Sequence, residues 1–204
     1  MGQTQQPQTA DSRRRPAIVA LVAGLAVVAI AGGILASQGN AKPPEECFAR
    51  AKAAAAAQDP AAAAKWYRRA AEQGLVKAQC NLGACYASGD GVTRDLAEAA
   101  RWFGRAAEQG DARGQYNLGV CYAGGMGVTS DTAKAVTWFG RAAKQGDAQA
   151  QYALGVCYAN GKGVAQNSVV AAQWYRKAAA LGDERASKAL AEFDKPTAPP
   201  PAAP

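Results

Sequence analysis

Five cysteines stand in a chain of 204 residues that holds no histidine, so thiol chemistry would have to proceed without the usual base or the commonest metal ligand. Cys85, Cys121 and Cys157 recur every thirty-six residues, each followed by a tyrosine. A ladder of thiolates could bind metal or carry electrons. Equivalent positions on stacked helices, however, lie on the order of 10 Å apart at ordinary interaxial distances, beyond disulfide reach. These three therefore read as small buried hydrophobes. Cys47 and Cys80 break the period, and each belongs to the first helix of its own unit. An oxidising milieu would permit a disulfide between them.

Other constellations are incomplete. The glycine pairs Gly89/Gly91, Gly125/Gly127 and Gly161/Gly163 resemble part of a phosphate loop, but the sixth position of G-x-G-x-x-G holds Arg94, Ser130 or Gln166. Asp90 could open a calcium loop, yet Met126 and Lys162 occupy its place in the next copies. There is neither a Ser-x-x-Lys pair nor a nucleophile with a histidine base. The expectation is a protein that is not an enzyme and has no cofactor and no metal. Arg69, Arg105, Arg141 and Lys177 form a basic stripe near the ends of successive helices, where cations are favoured in any case. With a formal net charge of +7 that includes Arg13, Arg14 and Arg15, the stripe reads as a solvated outer face, and no nucleic-acid partner is expected.

These residues must be positioned by a tandem repeat. Trp66, Trp102, Trp138 and Trp174 fall thirty-six residues apart, and fifteen of thirty-six positions are identical in three copies. Leu82, Gly83 and Tyr86 predict a first helix with an apolar face, and the mid-helix glycine predicts close approach of a neighbour. A glycine turn follows. Asp95, Asp131 and Asn167 are N-caps of a second helix whose buried stripe is Ala99, Trp102, Ala106 and their equivalents. Gly110, Gly146 and Gly182 end it. Residues 45–77 form a degenerate unit in which an alanine-rich helix lacks the glycine turn. Full units are expected at 78–113, 114–149 and 150–185, and a charged capping helix at 184–193.

The recurring pattern A/G-Q-x-x-LG-x-x-Y-x-x-G-x-GV-x-x-D, followed by A-x-x-W-[FY]-x-x-AA-x-x-G, closely resembles the Sel-one-like repeat, a longer-turned relative of the tetratricopeptide repeat. The resemblance implies an all-α, right-handed superhelical solenoid of helix-turn-helix units, with first helices lining a concave face and a scaffold or adaptor role. Cys47 and Phe48 stand where the first unit should carry leucine-glycine. The ligand positions of such superhelices map to Lys77, Cys80, Asn81 and Ala84, then to Arg113, Tyr116, Asn117 and Val120, and then to Gln149, Tyr152, Ala153 and Val156. In related repeats an asparagine before leucine-glycine holds an extended peptide by its main chain; Asn81 and Asn117 match, and Ala153 does not. The alternative is that both asparagines satisfy local backbone. The tyrosines add flat amphipathic area of the kind favoured in interfaces. A protein or peptide partner follows from this mapping. The principal alternative is a cell-envelope protein that binds wall material or hydrolyses it weakly.

Outside the repeats, residues 1–16 read as a disordered cytoplasmic tail ending in the basic run. Residues 17–36 are uncharged and long enough as a helix to cross about 30 Å of hydrocarbon. Three arginines before this span and only Lys42 after it predict a single-pass anchor with the repeats outside the cytoplasm, on the periplasmic side. A cleaved signal peptide, which would release a soluble periplasmic chain, is the alternative. Residues 37–44 form a tether, and residues 194–204 a Pro/Ala-rich disordered tail.

Overall fold

The computed structural model describes residues 42–193, and every regular element among them is an α-helix. The expected tail, membrane span and most of the tether lie outside the described residues, as does the segment 194–204. Among the described residues no helix is long and apolar enough to cross a membrane. The helices are α1 (Pro44–Ala56), α2 (Pro60–Glu72), α3 (Val76–Ser88), α4 (Leu96–Glu108), α5 (Ala112–Gly124), α6 (Thr132–Lys144), α7 (Ala148–Asn160), α8 (Ser168–Ala180) and α9 (Glu184–Phe193). Extensive contact occurs only between helices consecutive in the chain. The result is a solenoid of helix-turn-helix units without a central core.

Local chemistry sets the element ends. The Asp95 carboxylate accepts from the Ala97 and Glu98 amides, Asp131 from Lys134, and Asn167 from Val170. Gly89, Gly125 and Gly161 close the first helices in the left-handed region, where a residue with a side chain is strained. Two residues on, the turn glycine meets the previous unit. A Cβ on Gly91, Gly127 or Gly163 would lie 2.8, 2.6 or 2.9 Å from the amide nitrogen of Ala61, Ala97 or Ala133, and closer still to the carbonyl before it. The turn of each unit is thus seated on the start of the preceding unit's second helix, backbone against backbone.

Within a unit the mid-helix glycine admits an aromatic ring. A Cβ on Gly83 would stand 2.7 Å from Phe103, and one on Gly119 2.6 Å from Phe139; Gly155 faces Tyr175 in the same way. The expected stripe therefore needs correction. The residue after each tryptophan is the one sealed between the helices, with Tyr67, Phe103, Phe139 and Tyr175 all buried. Of the tryptophans only Trp102 is buried, whereas Trp66, Trp138 and Trp174 are half-buried. Trp102, Trp138 and Trp174 instead reach the cluster of the unit before their own.

The first unit has a different register. Residues 57–59 join α1 to α2, against residues 89–95 between α3 and α4, so α1 aligns with α3 at an offset of thirty-two residues rather than thirty-six. Ala51, fully buried, then takes the place of Gly83, and Cys47 the place of Gln79. A buried polar ladder supports this alignment. Gln79, Gln115 and Gln151 donate to the carbonyls of Ala71, Ala107 and Ala143, and the first two accept at 2.7 and 2.8 Å from Gln109 and Gln145. Gln73 makes the corresponding approach to Cys47 Sγ at 3.9 Å. In the last unit Leu181 replaces the donor, and the enclosed Gln151 Oε1 has no partner.

That register sets Cys47 and Cys80, the pair that an oxidising milieu would permit to join, at different repeat positions. Cys47 occupies a glutamine position in the first core cluster, whereas Cys80 occupies the aromatic position shared with Phe48, Tyr116 and Tyr152 and packs in the second. The described cysteines form no disulfide.

Phe139→Ala is expected to cost about 3–5 kcal/mol, the usual range for a buried aromatic. Trp138→Ala should cost less, because its ring is only half enclosed. Thermal or urea unfolding of the two variants checks the order, and a larger loss for Trp138→Ala would contradict the packing described.

Candidate functional site

The seating of each unit on the last leaves a recess between the second helix of one unit and the first helix of the next, and the period copies it. The first recess, 520 Å³, lies between α2 and α3 and is lined by Ala63, Tyr67, Asn81, Ala84, Cys85 and Asp90 among others. The second, 390 Å³, lies between α4 and α5, with Ala99, Phe103, Asn117, Val120, Cys121 and Met126. The third, 300 Å³, lies between α6 and α7, with Ala135, Phe139, Ala153, Val156, Cys157 and Lys162. Each set follows from the previous one by adding thirty-six to every number. The recesses form a row on one face.

Eight of the twelve predicted ligand residues line this row: Asn81 and Ala84 the first recess, Asn117 and Val120 the second, and Tyr116, Tyr152, Ala153 and Val156 the third. Arg113 is brought to it indirectly, its Nη2 donating to Asn81 Oδ1 at 3.0 Å. Asn117 donates to Cys80 Sγ at 3.8 Å. Lys77 and Gln149 are exposed on the first turns of α3 and α7 and do not line these recesses. The tyrosines are held by ring pairs of one design: Tyr116 with Phe139 at 5.8 Å and Tyr152 with Tyr175 at 5.7 Å, as Phe48 pairs with Tyr67 at 5.7 Å.

Sequence reasoning missed Arg185, which it assigned to the capping helix. Its guanidinium lies 4.5 Å over the Tyr152 ring and lines the third recess. Asp183 fixes it through bonds of 2.6 and 3.2 Å, and the same contact lowers the Asp183 carboxyl pKa below its usual range. The signal was available, since residue 185 is the thirty-six-residue successor of Gln149 and Arg113.

The opposite face carries the basic stripe in an unforeseen role. Arg69, Arg105, Arg141 and Lys177 each lie over the tryptophan three residues earlier, at 4.7, 4.5, 4.4 and 4.3 Å from the ring centroid. Such pairs contribute roughly 0.5–1 kcal/mol at exposed sites. Their charge is thus spent on covering indole surface as well as on solvation.

No three metal-ligating side chains gather among the described residues. Burial raises the pKa of the thiols of Cys85, Cys121 and Cys157, and that of Cys80 to about 11. They remain protonated and inert at neutral pH.

Comparison with known proteins accounts for this arrangement. A family profile of the Sel1 repeat matches residues 53–75, 76–111, 112–147 and 148–183. The chain belongs to the Sel1 repeat family. No curated protein matches it. Among solved structures it is similar to a protective antigen of uropathogenic Escherichia coli strains that displays an SLR fold, at 46% identity and a TM-score of 0.63 over 65% of this chain and 28% of that one. A Sel1 repeat protein from Oxalobacter formigenes matches at 37% identity and a TM-score of 0.69 over 73% of this chain and 62% of its own. Helicobacter pylori cysteine rich protein B matches at 28% identity and a TM-score of 0.52 over 62% and 96%. The chain therefore spans less than two thirds of the first two relatives. Sel1 repeat proteins generally mediate protein–protein interaction and are generally non-enzymatic.

The raised thiol pKa values carry a pH dependence. A group whose pKa is higher folded than unfolded contributes stability that is complete below the unfolded value and lost as pH rises through the folded one. Folding stability should therefore fall between pH 9 and about 11. Cys80→Ala should lose less across that window, by roughly 2–3 kcal/mol. Urea unfolding of both chains at pH 8 and 11 measures this, and an equal loss in the two would contradict it.

Proposed function

We propose that this chain is a non-catalytic scaffold that captures an extended segment of a partner protein along the row of recesses, the concave face of a right-handed superhelix. The observation that carries the reading is the thirty-six-residue copying of one recess into three. An extended chain, itself periodic, can place successive side chains in such a row while its backbone meets the side-chain amides between them. Asn81 offers its amide donors there, with its oxygen already held by Arg113. Asn117, Tyr116 and Tyr152 supply a further amide and two flat amphipathic rings. Lys77 and Gln149 then serve as outer rims for long partners.

The anchoring reading is part of the same proposal. The uncharged span 17–36 after Arg13 to Arg15 supports a single-pass membrane anchor that displays the repeats on the periplasmic side. Reporter fusions after Pro204 should be active outside the cytoplasm, and the membrane-extracted chain should keep residues 17–36. Enrichment of a soluble chain starting near Ser37 would favour cleavage instead.

Crosslinking in the native membrane followed by mass spectrometry tests the binding face. Asn81→Ala with Asn117→Ala should lower partner recovery at least about tenfold, the loss of two interfacial hydrogen-bonding groups, while helicity stays that of the parent. Arg105→Ala with Arg141→Ala, on the opposite face, should keep the partners. The reverse pattern would place the binding face on the wrong side of the solenoid.

A further inference from the structure

Among the repeat positions shared by all three recesses, one changes the sign of its charge from copy to copy, and its occupants are Asp90, Met126 and Lys162. Each follows a left-handed helix-capping glycine, with φ of 82°, 65° and 66° at Gly89, Gly125 and Gly161. The same backbone geometry therefore presents a carboxylate, then a thioether, then an ammonium group. The rest of each lining agrees. Asp90 is the one carboxylate of the first recess, where its companions are the neutral Asn81, Gln58 and Ser88. The second adds one cation, Arg94, whose Nε is held at 3.0 Å by the Ala87 carbonyl, beside Val120 and Phe103. The third holds two cations, Lys162 and the Tyr152-stacked Arg185. Formal lining charge thus runs from −1 through +1 to +2, with the Asp183 carboxylate, paired with Arg185 just outside the lining, offsetting one cation of the third.

Arg113, bonded to Asn81 Oδ1, adds a cation at the edge of the first recess toward the second, and leaves the direction of the gradient unchanged. Recesses one unit apart are separated on the order of 10 Å. That is comparable with the screening length of about 8 Å at physiological ionic strength, so each charge acts mainly in its own recess.

We propose that the row reads a bipolar segment of a partner protein: a basic residue at the first recess, an apolar side chain at the second and an acidic residue at the third, with Asp90 and Lys162 fixing which way the segment runs. The proposal rests on the reading of the recesses as the partner site. Run forward, the segment makes two opposite-charge pairs; run backward, it makes two like-charge contacts. Exposed pairs of this kind should favour the forward run by about tenfold.

The test is selection of random twelve-residue phage-displayed peptides on the full chain in detergent. Enriched sequences should share one order of basic, apolar and acidic residues. Selection on the D90K/K162D double variant should return the opposite order, with about tenfold preference in each case. A shared order that ignores the exchange, or no shared order, overturns the proposal. A second variant, Ala84→Trp with Ala123→Trp, fills the recesses from exposed positions and separates the two readings. Peptides that still bind it undiminished overturn the recess row as the binding face. Peptides lost from it whose order ignores the charge exchange overturn only the directional inference. Absence of any enriched sequence overturns both.

Discussion

The solenoid depends on a contact between two stretches of backbone. Gly91, Gly127 and Gly163 sit so close to the first residues of α2, α4 and α6 that no side chain fits between, and each adopts a positive φ as well. Two independent requirements thus fall on one residue. Because the contact involves main chain on both sides, its spacing does not change with side-chain identity, and units with different surface residues stack at one pitch. A regular pitch is what turns a single recess into a row.

Much of this was legible in the sequence for a physical reason: caps and turns are local. Asp95, Asp131 and Asn167 cap the helices that their positions implied, and the mid-helix glycines marked a real close approach. What fills the approach was not legible. Tryptophan recurs without change and draws attention, but the ring against Gly83, Gly119 and Gly155 belongs to the next residue, which varies between phenylalanine and tyrosine. Adjacent helical residues point about 100° apart. An invariant residue can therefore lie off the core axis while its variable neighbour fills the core. The first unit failed for another reason, because a shorter connection shifts α1 by four residues and removes Cys47 from the position that its sequence neighbours suggested.

Most of the predicted binding residues line the recesses, since position within the repeat determines which face a residue joins. Arg185 was missed because a terminal helix was read as a cap and not as the first half of a further unit. Its stacking on Tyr152 shows that α9 contributes to the face as α5 and α7 do. On the proposed reading, the specificity of such a scaffold resides in departures from the repeat. Identical positions build the pitch, whereas Asp90, Met126 and Lys162 differ at one position and give each recess its own character.

Hydrogen–deuterium exchange on Gly127→Ala tests the dependence on the backbone seat most directly. A methyl group there meets the Leu96 carbonyl and the Ala97 amide of the preceding unit, and the left-handed φ adds about 1–2 kcal/mol. Protection should fall on both sides of the seat, at the start of α4 and through α5 and α6, while α1 and α2 keep theirs. Loss of protection confined to the turn itself, with α4 unchanged, would contradict the claim that this contact sets the stacking of the units.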